Sequence, residues 1–152
     1  MGNSERTLAE FRATREMVGM TQGMLAQALG VEARSVRRWE SPSAPQVPPQ
    51  DAWDVLDAAL TNQRHAVAAA LGEVDRIAQE QGTYPENAAL PYWTSQEAYD
   101  SGHYTGADGY DWRMANATLR TLAYALHERG INVEWSDGPT VPHIDEETLS
   151  QQ

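Results

Sequence analysis

The chain of 152 residues contains no cysteine. This absence excludes structural disulfides, thiolate metal sites and cysteine nucleophiles, and it fits a protein of a reducing cytosol. Long apolar runs are missing as well, because no stretch approaches the ~18–20 residues that a membrane-spanning helix needs. Residues 1–16 are charged where a secretory signal would be apolar. We therefore expect a cytoplasmic protein that does not contact a membrane.

Lysine is also absent, and the eleven basic residues, all arginine, are unevenly distributed. Residues 1–40 hold six arginines and five acidic residues, whereas residues 41–152 hold five arginines and seventeen acidic residues. Three arginines fall within residues 34–38. Because the net charge of −11 repels phosphate, we expect weak non-specific DNA binding by the whole chain. The asymmetry indicates nucleic-acid binding by the N-terminal part only.

Capping and stop residues predict two short helices near the N-terminus. Asn3 or Ser4 begins the first helix, which runs to about Met17. Thr21 caps the second helix, and Gly30 ends it as a left-handed stop.

The spacing predicts a third helix over about residues 32–40. Val36 and Trp39 lie on its inner side, and the outer side carries Arg34, Ser35, Arg37 and Arg38. Two helices joined by a tight glycine-containing turn, the second rich in arginine, form a helix-turn-helix pattern.

Proline and the apolar spacing divide the middle of the chain. Residues 41–49 hold four of the eight prolines and predict a linker. Residues 50–80 then follow a helical pattern with apolar positions at alternating spacings of four and three. This stripe could join two protomers or pack on its own chain, and the pattern leaves both alternatives open.

The remaining residues predict a small mixed part. A break over 81–89 precedes an edge strand at 90–93, and Thr94 with Glu97 forms a capping box for a short helix through Tyr99. Asp111 caps a helix over about 112–129.

A last strand follows that helix, with Ile131, Val133 and Trp135 alternating with polar residues. The predicted fold class is mainly α: an N-terminal helix-turn-helix bundle, a long helix and a small α+β part. The predicted divisions are a helix-turn-helix domain (1–60), a connecting helix (61–81), a dimerisation domain (82–137) and a flexible tail (138–152).

The segment TQGMLAQALGVEARSVRRWE, residues 21–40, resembles the helix-turn-helix of the phage-repressor-like, or XRE, family in residue type and spacing. The resemblance implies sequence-specific binding to double-stranded DNA. It implies that Gln22 contacts a phosphate and that Ala33, Arg34 and Arg38 read base edges in the major groove. Ser35 and Arg37 are then expected to hold phosphate.

Three neighbours receive other interpretations. The resemblance implies that Arg15 and Glu40 form a pair between the first and third helices, so neither is placed in the DNA site. Glu32 could accept a hydrogen bond from cytosine N4, but an acid in a first helical turn is also favoured by the helix dipole.

The C-terminal half carries a second resemblance, through PYWTSQEAYDSG, the YDWRMANATLRTLAYAL helix and GINVEW. These segments resemble the dimerisation domain of YdiL-like regulators, a group that includes some anti-CRISPR-associated autorepressors. This resemblance implies a homodimeric repressor that binds an inverted-repeat operator, and some relatives bind RNA as well.

Patterns that indicate catalysis are not found in the sequence. The four histidines show no metal-binding spacing, and there is no glycine-rich phosphate loop or nucleophile elbow. We expect no enzymatic activity, no metal and no cofactor.

Three functions are alternatives to a DNA-binding regulator. They are an antitoxin whose acidic C-terminal region binds a partner protein, a regulator that binds RNA stems, and an effector sensor in which C-terminal aromatic residues line a pocket.

Overall fold

The computed structural model describes residues 6–43, 46–102 and 111–137. Within these ranges the chain forms six helices and two strands. In chain order they are α1 (Leu8–Met17), α2 (Gln22–Leu29), α3 (Ala33–Trp39), α4 (Gln50–Gln81), β1 (Asn87–Pro91), α5 (Gln96–Gly102), α6 (Trp112–Glu128) and β2 (Asn132–Ser136). The predicted fold class, mainly α with a small α+β part towards the C-terminus, is confirmed.

The chain divides into two compact units, Met1–Ala68 and Ala69–Gln152. The division falls inside α4, so this helix belongs to both units. The predicted tail over 138–152 lies outside the described residues. In the ranges that are described, no helix is both long and apolar enough to cross a membrane.

Helix α1 begins later than the capping residues predicted. Thr7 is its N-cap, and the Thr7 side chain accepts a hydrogen bond from the backbone N–H of Glu10 at 3.0 Å. The predicted caps, Asn3 and Ser4, lie outside the described residues. The predicted end at Met17 is confirmed.

Both ends of α2 have the predicted geometry. The Thr21 hydroxyl accepts from the backbone N–H of Met24 at 3.1 Å, and Gly30 adopts a left-handed φ of 68°. Helix α3 starts at Ala33, because Glu32 has extended backbone angles and is the N-cap.

The core of the first unit is built around Phe11, which is fully buried. Its ring makes edge contacts with Trp53 at 5.0 Å and with Trp39 at 6.3 Å between centroids. Val36 and Leu56 are also fully buried, so α1, α3 and α4 contribute to one apolar core. Burial of such side chains stabilises this fold by about 1.5–3 kcal/mol each.

The long helix α4 is buried only in its first half. Its buried residues are Ala52, Trp53, Leu56, Ala59 and Gln63. Half-buried residues on the predicted stripe are Leu60, Val67, Ala70, Val74 and Ile77. The helical pattern over 50–80 is confirmed, and Gln63 in the stripe has a structural role: its amide donates to the Met17 carbonyl at 2.8 Å.

In the second unit β1 and β2 pair in parallel, with Asn87 opposite Asn132 and Leu90 opposite Trp135. A parallel pair needs a crossover connection, which α5 and α6 provide. Helix α6 contacts both strands.

The strand predicted at 90–93 lies at 87–91 instead. It ends early because the backbone N–H and C=O of Trp93 bond to the side chain of Asn116, at 2.8 and 2.9 Å, and not to β2. Its start falls within the predicted break, where Asn87 and two alanines are poor strand formers.

The capping residue of α5 was predicted wrongly. The Ser95 hydroxyl, and not that of Thr94, accepts from a helix backbone N–H, that of Ala98 at 3.1 Å. The predicted cap of α6 is confirmed, since Asp111 accepts from the N–H of Arg113 at 2.7 Å.

Aromatic residues of the second unit contribute to its core. Trp93 and Tyr99 are buried and form an edge contact at 5.4 Å between ring centroids. Tyr92 and Trp135 form a similar contact at the surface.

Candidate nucleic-acid interface

Helix α3 has one buried side and one accessible side. Val36 is fully buried and Trp39 is 8 % exposed, so these two residues attach the helix to the core. Arg34, Arg37 and Arg38 are exposed. Arg37 and Arg38 lie three and four positions after Arg34, so the three arginines share the accessible face of the helix and are called its basic row here.

The other residues predicted to contact DNA are less exposed than the three arginines. Ala33, the first residue of α3, and Ser35 are half-buried. Gln22 is the first residue of α2 and is also half-buried. The five predicted residues of α3 therefore share one short helix, and Gln22 joins them from the preceding helix.

The arginines of the first unit differ in their partners. Arg6, Arg12 and Arg15 each pair with an acidic side chain on α1, on α4 or next to α3. Among the described residues, no acidic side chain pairs with Arg37 or Arg38. These two cations are therefore available to an anionic partner.

A buried ion pair connects α1 to the residue that follows α3. Arg15 donates through Nε and Nη2 to the two carboxylate oxygens of Glu40, at 2.7 and 2.8 Å. Arg15 Nη1 also donates to the Met20 carbonyl at 2.8 Å. The side chains of Arg15 and Glu40 are 9 % and 4 % exposed, so water screens the pair little. The expected pair between the first helix and the end of the third is present.

The network extends to Gln22, whose Nε2 donates to Glu40 at 3.4 Å. A carboxamide carries two N–H groups, and within the described ranges the Gln22 side chain makes this one hydrogen bond. This contact fixes the start of α2 relative to the end of α3. Two elements that carry residues predicted to contact DNA are thereby joined.

Glu32 makes a contact that the sequence did not indicate. Although it is the N-cap of α3, its side chain makes no capping hydrogen bond. Its Oε2 lies 2.6 Å from Arg34 Nε, and the two side chains are 71 % and 64 % exposed. The two interpretations of Glu32 from the sequence, a contact with cytosine N4 and a favourable position in the helix dipole, did not include this ion pair. The i, i+2 spacing offered no signal, because helical neighbours are three or four apart.

The charge is strongly divided between the two units. The first unit holds seven arginines and eight acidic residues, and the second holds four and fourteen. The basic row of α3 therefore belongs to a nearly neutral unit. The second unit carries most of the negative charge that repels phosphate.

The described residues provide no group of three His, Cys, Asp or Glu that could hold a metal ion. His65 and His127 are exposed, and the other two histidines lie outside the described ranges.

Comparison with known proteins found no matching family model and no matching curated protein.

Proposed function

We propose that this protein is a cytoplasmic, homodimeric, sequence-specific DNA-binding transcriptional regulator, acting as a repressor. The observation that carries the proposal is the exposed basic row of α3, in which Arg37 and Arg38 lack acidic partners among the described residues. The major groove of B-DNA is wide enough to admit an α-helix. The likeness of residues 21–40 to the phage-repressor-like family supports the same function.

Within this proposal each residue has a role. Arg34 and Arg38 pair bidentately with guanine O6 and N7, and Ala33 contacts a thymine methyl group. Arg37, Ser35 and Gln22 bind phosphates and fix the position of the helix on the duplex.

The acidic second unit suits this function, because it lowers affinity for DNA of arbitrary sequence. Only DNA sequences whose bases contact α3 favourably then bind the protein tightly.

Homodimerisation is part of the proposal because one helix-turn-helix reads a single half-site. Two copies held about 34 Å apart, one turn of DNA, double the contacts and read an inverted repeat. The half-exposed apolar residues of α4, including Val67 and Val74, offer surface for such an association.

The first test is a gel-shift titration of the purified protein against the intergenic DNA upstream of its own gene. Physiological salt and excess competitor DNA suppress non-specific binding. We expect a discrete complex at nanomolar protein that is lost in Arg34→Ala. Arg64→Ala is the matched control, because Arg64 is exposed on α4 and has no acidic partner in the described part of the chain.

The absence of a shift below micromolar protein would contradict autoregulation. Selection from a random-sequence duplex library would then test DNA recognition in general. Failure of that selection would contradict the proposed function, and binding to RNA stems and to a partner protein would then be tested.

A second candidate function is a protein-interaction module, such as an antitoxin that binds a basic partner. The excess of acidic residues in the second unit favours it. The exposed Tyr92 and Trp135 also favour it, because aromatic side chains are enriched at interface hot spots. Co-expression with a basic protein encoded beside the gene, followed by co-purification, distinguishes this function from DNA binding alone.

A further inference from the structure

Helix α3 begins at a residue poorly suited to cap it. Serine, threonine, aspartate and asparagine are favoured at an N-cap because their short side chains accept from the first helical N–H groups. Glu32 occupies this position and makes no such hydrogen bond. Its carboxylate instead contacts Arg34, which is two residues further along the chain.

This ion pair contributes little to folding, because both side chains are largely exposed and water screens their attraction. It does change the charge that α3 presents. Arg37 and Arg38 have no acidic partner among the described residues, whereas the charge of Arg34 is balanced by a carboxylate 2.6 Å from its Nε.

Charge balance at Arg34 affects two kinds of DNA complex differently. Binding to arbitrary sequence depends on cations that replace the counterions of phosphates. An arginine that is paired with a carboxylate contributes less to this release of counterions than an unpaired arginine does. Guanine, in contrast, is recognised by a directed pair of N–H donors. A guanidinium has five N–H groups, so Arg34 can contact guanine O6 and N7 while remaining beside Glu32.

We propose that Glu32 is a specificity-determining residue, which pairs with Arg34 and thereby weakens binding to arbitrary DNA more than binding to the operator. This inference rests on the proposed function, since it assumes that α3 enters the major groove. It assigns Glu32 a role through Arg34, and not a base contact of its own.

The experiment compares the wild-type protein with Glu32→Gln, which removes the charge and keeps the size of the side chain. One probe is the duplex selected from a random-sequence library by the wild-type protein, and the other is a scrambled duplex of equal length. Affinities for both are measured at several salt concentrations. Thermal unfolding of each variant checks that the fold is retained.

We expect Glu32→Gln to bind the scrambled duplex about fivefold more tightly at physiological salt, because one further cation becomes available to phosphate. The slope of log affinity against log salt should become steeper by about 0.9. Affinity for the selected duplex should change much less, so the ratio of the two affinities falls.

Two further variants separate this effect from a general loss of negative charge. In an Arg34→Ala background, Glu32→Gln should no longer change affinity for the scrambled duplex by a comparable factor. Glu16→Gln is the matched control, since Glu16 pairs with Arg12 at 3.1 Å at an exposed site on α1. It should leave the affinity ratio unchanged.

Unchanged binding of the scrambled duplex by Glu32→Gln would overturn the inference, as would an equal increase in the Arg34→Ala background. A loss of discrimination confined to one C·G pair would overturn it as well, because Glu32 would then read cytosine directly. In all three cases the selected duplex still binds, so the proposed function stands. If the library selection enriches no sequence, the proposed function and this inference both fail.

Discussion

Arg15 and Glu40 form a two-bond ion pair that joins the end of α1 to the end of α3, with donor–acceptor distances of 2.7 and 2.8 Å. Both side chains are nearly excluded from water. The charges compensate each other in a region of low dielectric, and Met20 accepts from the remaining nitrogen Nη1. The orientation of α3, and hence of its basic row, depends on this pair.

Substituting Arg15 by alanine should therefore lower the free energy of unfolding by about 3–5 kcal/mol, because Glu40 would be left buried without its counter-ion. Urea unfolding of the two proteins measures the difference. Arg12→Ala is the control: its pair with Glu16 is exposed, so the expected loss is only about 0.3–0.5 kcal/mol. Equal losses in the two variants would show that the buried pair does not hold α3.

The arginines of α3 should differ in how their removal affects DNA binding. Arg34→Ala should relax specificity at one base pair by about 1–3 kcal/mol, because a bidentate guanine contact is lost. Arg37→Ala should weaken binding to all sequences alike and lower the salt slope by about one, as expected for a phosphate contact.

Titrations of operator variants at several salt concentrations test both expectations. If neither substitution changed binding, the accessible side of α3 would not be the DNA-binding surface.

The elements that the sequence predicted well depend on local chemistry. Thr21, Gly30 and Asp111 cap or end helices through contacts with residues no more than four positions away. The start of α1 was harder to locate, because Thr7 is one of several capping residues near the N-terminus. Local patterns predict that a helix exists more securely than they predict its first residue.

Two of the features that the sequence did not predict depend on distant residues. The parallel pairing of Asn87 with Asn132 brings together positions that are 45 residues apart, and no local period encodes it. Trp93 lies outside β1, and Asn116, which is 23 residues away, provides its backbone partners. The site residues of α3 could be named from the segment at 21–40, but nothing in that segment indicates the contact between Glu32 and Arg34.

Acid should weaken the ion pair that joins Arg6, two residues before α1, to α4. Arg6 donates to both carboxylate oxygens of Asp57 at 2.8 and 2.9 Å, and its guanidinium lies 3.7 Å from the centre of the Trp53 ring. The hydrogen bonds from Arg6 lower the pKa of Asp57 below its ordinary value of 3.8. A lowered pKa contributes stability above the unfolded-state pKa, and this contribution is lost as the pH falls through the folded-state value.

Asp57→Asn should therefore be less stable than the wild-type protein at pH 7, by about 0.2–1 kcal/mol because the pair is partly exposed. The difference should shrink as the pH falls below about 3.8, where the wild-type carboxylate also takes up a proton. Urea unfolding of both proteins at a series of pH values measures this difference in the free energy of unfolding. A difference that stays constant into acid would mean that Asp57 acts through packing and not through its charge.

Asn116 should be essential to the second unit, because it replaces a missing strand partner. It is 3 % exposed, its Nδ2 donates to the Trp93 carbonyl, and its Oδ1 accepts from the Trp93 N–H. Asn116→Ala removes both bonds and leaves two buried backbone groups without partners, so the free energy of unfolding should fall by about 2–4 kcal/mol. Hydrogen exchange at the Trp93 amide reports this loss directly, since exchange should accelerate there first.

Asn62→Ala is the control, because Asn62 is an exposed residue of α4 and its removal should change stability by no more than about 0.5 kcal/mol. If the two variants were equally stable and the Trp93 amide stayed protected, the end of β1 would be held by packing of the Trp93 ring alone.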